Sequence, residues 1–93
     1  MKTGTEHFNI KVFGRVQKVG FRFNAKRKAD RLNIKGYVKN ESDGSVYIEA
    51  EGDQESLEKF ISWVKKGPLF SKVKRIEKEK DKVKSFEKFN IKY

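Results

Sequence analysis

Cysteine is absent from the 93 residues, and histidine, methionine, tryptophan and proline occur once each. Without cysteine there is no disulfide, no thiolate metal site and no thiol nucleophile. One histidine and no dense carboxylate cluster leave little from which to build a dedicated metal centre. No apolar run approaches the ~20 residues that span a bilayer. The opening MKTGTEHFNIKV lacks the apolar segment of a secretory signal. These absences set the expectation of a cytoplasmic protein with no membrane partner, no metal and no cofactor. The length fits a single domain over residues 1–93 with one modest core.

Acidic residues are also scarce where the chain begins. Residues 1–40 hold eleven lysines and arginines against Glu6 and Asp30, a net +9. Residues 41–71 hold three cations against seven acids, and residues 72–93 nine against four, giving −4 and +5. The total of +10 draws anions of any size, from small phosphates to nucleic acid, and does not choose between them.

Within the basic first part lies the stretch Gly14–Arg22, GRVQKVGFR, which carries most of the functional information. His7 to Phe13 alternates before it, with Phe8, Ile10 and Val12 on one face, and reads as a strand. His7, at the strand's start, reads as a surface residue. After the stretch, Phe21, Ala25, Ala29 and Leu32 form one apolar stripe at helical spacing. A strand therefore enters a glycine-flanked loop that opens a helix. First-turn N–H groups without intrahelical partners, the helix dipole and the cations Arg15, Lys18 and Arg22 meet there. Such a loop suits an anion, phosphate above all, although composition alone does not separate it from a plain turn. It is not a Walker A motif, since no Gly-Lys-Ser/Thr closes it, and it is not GxGxxG.

The remaining elements follow in order. Asn33 stands where a helix C-terminus favours the left-handed conformation. Gly36–Asn40 and Val46–Glu51 read as strands joined through Ser42-Asp43-Gly44, close enough for an antiparallel hairpin. In the second of them Val46, Ile48 and Ala50 face inward, and Tyr47, Glu49 and Glu51 outward. Asp53 caps a second helix that runs to Lys66, with Leu57, Phe60, Ile61 and Val64 as its stripe and Trp63 packing beside it. Gly67-Pro68 stops it. Lys72–Ile76 is a weaker strand because Val73 and Ile76 do not alternate. Lys78–Ser85 reads as a solvated loop, and Phe89–Tyr93 as a last strand. The order β-α-β-β-α-β plus one strand, with right-handed crossovers, predicts an α+β fold: a ferredoxin-like βαββαβ sandwich, an antiparallel sheet with both helices on one face. That fold serves many functions.

The topology sets the end of the second strand near the loop after the first, so Asn40 can approach the anion site. A carboxamide donates and accepts hydrogen bonds without charge and can orient a water; asparagine is equally an ordinary turn residue. GRVQKVGFR, then GYVKN, DGSVYIEAEG, GP and a terminal FNIKY together resemble the acylphosphatase family along nearly the whole chain. One departure is Lys18, where the family commonly has glycine; another is Asn33, also usually glycine. The resemblance implies metal-independent hydrolysis of acyl phosphates to carboxylate and inorganic phosphate. It implies Arg22 as the phosphoryl-binding residue, Asn40 as the holder of the attacking water, and the amides of Arg15, Val16, Gln17, Lys18, Val19 and Gly20 as the phosphate cradle. The expected partner is a small acyl phosphate, with inorganic phosphate as product, and the expected state a monomer. The alternative is a basic nucleic-acid-binding module of the same fold. Against it, the third strand carries Glu49 and Glu51 beside Tyr47, where an RNA-recognition strand would be aromatic and cationic.

Overall fold

The computed structural model describes residues 4–93. Its elements are β1 (Glu6–Arg15), α1 (Phe21–Arg31), β2 (Lys35–Asn40), β3 (Val46–Gly52), α2 (Gln54–Lys66), β4 (Lys72–Asp81) and β5 (Phe89–Lys92). The sheet order is β4-β1-β3-β2-β5. The pairs β1–β3, β1–β4 and β2–β3 are antiparallel, while β5 adds to β2 in parallel. The ferredoxin-like sandwich with an extra C-terminal strand is thus the fold the chain adopts.

Alternation places Ile10 and Val12 of β1 opposite Ile48 and Val46 of β3. All four are fully buried, together with Val38 of β2. α1 lays Phe21, Ala25 and Ala29 on this face, and α2 lays Leu57, Phe60, Ile61 and Val64. Burying a Val, Leu, Ile or Phe side chain contributes about 1.5–3 kcal/mol, so Phe21 and the α2 stripe dock the helices while the two alanines let α1 lie close. Asp53 caps α2 through its Oδ1, which accepts from the Ser56 amide at 2.8 Å. Trp63 packs against Phe21 and Phe60, with ring centroids 5.5 and 6.2 Å away. α1 ends with the amides of Asn33 and Ile34 donating to the carbonyls of Asp30 and Ala29, and Asn33 takes φ 59. This is the paired-bond helix ending that a left-handed residue permits.

Three expectations change. β4 does not stop at Ile76 but continues to Asp81, paired to β1 as far as His7, so Lys78–Asp81 is strand. Eight of its ten residues are charged, and β1 templates the strand without help from a hydrophobic pattern. The three-residue step from Val73 to Ile76 is absorbed by a bulge: Phe13 pairs Arg75, but Gly14 pairs Val73. The extra residue resets the phase, so both Val73 and Ile76 pack on the core. A Cβ on Gly14 would stand 2.2 Å from the Lys72 carbonyl oxygen, which is why glycine occupies the bulge.

The third change concerns the helix-free face. β4 and β5 lie at opposite edges, so residues 82–88 must cross the sheet. They cover His7, Glu49 and Glu51, which are buried rather than exposed. The Glu51 carboxylate accepts from the backbone amides of Lys84, Ser85 (3.2 Å) and Phe86 (3.0 Å). His7 sets Nδ1 2.9 Å from Glu51 and Nε2 3.1 Å from Glu49, and Phe86 stacks over its ring. Glu49 also accepts from the Tyr37 and Tyr47 hydroxyls and from Lys84 Nζ. A buried carboxylate survives only with such partners. Burial drives the Glu51 and Glu49 pKa values upward, but the donated hydrogen bonds outweigh it, and both carboxyls stand below their ordinary range.

Candidate active site

The loop after β1 is pinned from beneath and from the side. Val16 is buried in the core, and Val19 packs against it. Gln17 Nε2 donates to the carbonyls of Glu41 (2.8 Å) and Ser45 (2.9 Å), fastening the loop to the β2–β3 turn. That turn is closed by Asp43, whose Oδ1 accepts from the Ser45 amide and hydroxyl. These bonds, joined by Lys11, pull its carboxyl down to about 2. Asn40 is the last residue of β2, one position before this turn. The Gln17 tether therefore draws Asn40 and the loop together, a role that the sequence signals only by an uncharged polar residue between Val16 and Lys18.

Gly20 immediately precedes α1 at φ 76, left-handed, and the helix has no side-chain cap and no acid in its first turn. Glycine adopts this conformation freely. The N–H groups of the first turn, uncapped, carry the partial positive charge of the helix dipole outward. Lys18 has φ 63, a left-handed conformation that strains a lysine where a glycine would accept it freely.

A hollow of about 180 Å³ is lined by Val16, Lys18, Gly20, Phe21, Arg22, Phe23, Asn40, Ile91 and Tyr93. Arg22 and Asn40, far apart in the chain, thus share one cavity. The guanidinium rests 4.7 Å from the Tyr93 ring centre and makes one long contact, 3.5 Å, to the Lys92 carbonyl. Most of its fork is therefore free to bind. The Arg15 side chain stands apart from the hollow: the residue closes β1 beside Lys72 and is exposed. The side chains of Gln17 and Val19 are likewise occupied elsewhere. Phe23, Ile91 and Tyr93, which no motif in the chain groups together, form the hollow's apolar rim. Among the described residues no group of three or more His, Asp or Glu could hold a metal ion, and no helix is long and apolar enough to cross a membrane.

The fold is a small α+β sandwich in which a cationic, glycine-flanked loop opens the first helix. The acylphosphatase family model matches residues 8–91. An acylphosphatase of Archaeoglobus fulgidus is 48% identical over 84 residues, covering 90% of this chain and 94% of that one. The crystal structure of the Bacillus subtilis acylphosphatase superposes with a TM-score of 0.92 at 40% identity, covering 95% of this chain and 99% of its own. Full-length HypF, in a phosphate- and nucleotide-bound form, contains a similar unit: TM-score 0.91, 35% identity, 97% of this chain but 12% of HypF. The chain belongs to the acylphosphatase family and is an enzyme of that kind.

Proposed function

We propose that the chain, acting as one domain, hydrolyses the carboxyl–phosphoric anhydride bond of acyl phosphates, with Arg22 binding the phosphoryl group and Asn40 positioning the water. The observation that carries this reading is the shared hollow: a guanidinium, a carboxamide and an uncapped helix N-terminus around about 180 Å³.

The volume suits a phosphoryl group and a water, below the range of pockets that enclose whole drug-sized ligands. The acyl end then lies across the rim of Phe23, Ile91 and Tyr93. Phosphoryl transfer through a loose transition state depends on positioning and on spreading charge over three equatorial oxygens. The Arg22 fork and the amides of Arg15 to Gly20, with Lys18 nearby, supply that spread. Asn40 aligns the water opposite the leaving oxygen, an entropic contribution. Water forms the new P–O bond, the bond to the carboxyl oxygen breaks, and carboxylate and inorganic phosphate leave. The carboxylate is a weak base and departs without a strong general acid. No step calls on a metal, so chelation by EDTA leaves the rate unchanged.

The deciding experiment is phosphate release from benzoyl phosphate against p-nitrophenyl phosphate. Strong preference for the anhydride supports the reading; equal turnover of the ester overturns it. The nucleic-acid alternative is disfavoured because residues 82–88 and two carboxylates occupy the sheet face such a module would use. A monomer in the cytoplasm completes the proposal.

A further inference from the structure

We propose that the turn between α2 and β4 is a membrane-docking tip, which inserts Leu69 and Phe70 into the interface of an anionic lipid bilayer. The inference goes beyond hydrolysis and stands or falls separately from it.

Leu69 and Phe70 are 79% and 77% exposed, side by side on the crown of a tight turn. The turn is closed at its base: the Ser71 amide and hydroxyl donate to the Pro68 carbonyl at 3.0 and 2.6 Å, and the Gly67 amide donates to Trp63. Phe70 holds φ 78, a conformation that glycine accepts freely and a bulky side chain resists. A phenylalanine here is both strained and unburied, so nothing inside the molecule accounts for it. The two large apolar side chains stand together on one convex crown and form an exposed apolar patch.

Charge selects the partner. No acidic residue occurs from position 59 to position 76. Lys65 and Lys66 end α2, Lys72 and Lys74 begin β4, and all four are exposed. The ion pairs among the described residues use other lysines. An apolar tip inside a cationic collar matches the layering of an anionic bilayer, headgroup phosphates outside and hydrocarbon beneath. A nucleic acid would use the Phe70 ring for stacking but would gain nothing from Leu69. The lack of a spanning helix, from which no membrane partner was expected, concerns crossing a bilayer and not resting on one.

The full chain is sedimented with vesicles of phosphatidylcholine alone and of phosphatidylcholine mixed with phosphatidylserine, at about 0.15 M salt. The unmodified protein is expected on the mixed vesicles only. Leu69→Ser/Phe70→Gly keeps every cation and relieves the turn; it is expected to bind at least about tenfold more weakly, since two apolar insertions are lost. Its turnover of benzoyl phosphate without vesicles stays unchanged, which confirms its fold. In a second measurement Phe70→Trp shifts its emission to the blue on mixed vesicles, while Trp63 remains packed. Equal binding by the double variant, no binding by the unmodified protein, or an unshifted Phe70→Trp overturns the proposal. So does tight binding to single-stranded RNA with the vesicles ignored.

Discussion

Lys18 holds φ 63 at the mouth of the hollow, in backbone territory that costs a side chain about 1–2 kcal/mol. Lys18→Gly is therefore expected to raise thermal stability, by about 1 kcal/mol at most after the added freedom of the unfolded chain. The same change removes a cation beside the anion and raises KM for benzoyl phosphate. A melting curve and a steady-state titration read the two effects apart. At Arg22, lysine keeps the charge but loses the planar fork, so Arg22→Lys loses most activity. Arg22→Ala and Asn40→Ala each lower kcat by ~10²-fold or more, the scale of one positioned donor. Circular dichroism of both remains native, since neither side chain lies in the core. The family resemblance, not a local pattern, named these two positions; what brings them to one hollow is contact between segments far apart in the chain. His7 was not readable: its partners Glu49 and Glu51 are distant in the chain, and the ring that covers it is Phe86.

The segment that crosses the helix-free face behaves as an element although it has no regular structure. Its amides hang on one carboxylate, Glu51. The folded carboxyl is held below its ordinary value of 4.5, so the charged form stabilises the native state above about that pH. The contribution is lost as pH falls through the folded value. Glu51→Gln is expected to cost about 2 kcal/mol at pH 7, the worth of hydrogen bonds to a charged group. The gap between variant and parent narrows in acid, measurable as urea midpoints at pH 7 and pH 3. A gap of constant size would deny the charge its role. The elements with an apolar stripe or strict alternation, α1, α2 and β3, lay open in the sequence. β4 showed only in its first half, because it is an edge strand whose outward side chains are free to be charged, and whose bulge breaks the period. The segment after it looked like a solvated loop for the same reason: its anchoring is made by main-chain amides, which leave no trace in side-chain chemistry.

For the molecule as a whole, the net charge of +10 creates a field that reaches beyond any one site. Anionic substrates are steered by it, so kcat/KM falls as salt rises through ~0.15 M while kcat holds steady. An unchanged kcat/KM would confine the effect of charge to Arg22 and its immediate neighbours. The order β4-β1-β3-β2-β5 acts on a different clock. Only β2 and β3 are neighbours both along the chain and across the sheet; β1 waits for β3 and then for β4, and β2 waits for β5. Each of those meetings closes a long loop before it is rewarded. After dilution from denaturant the chain is therefore expected to reach its native state over milliseconds to seconds rather than microseconds, which stopped-flow fluorescence of Trp63 reads.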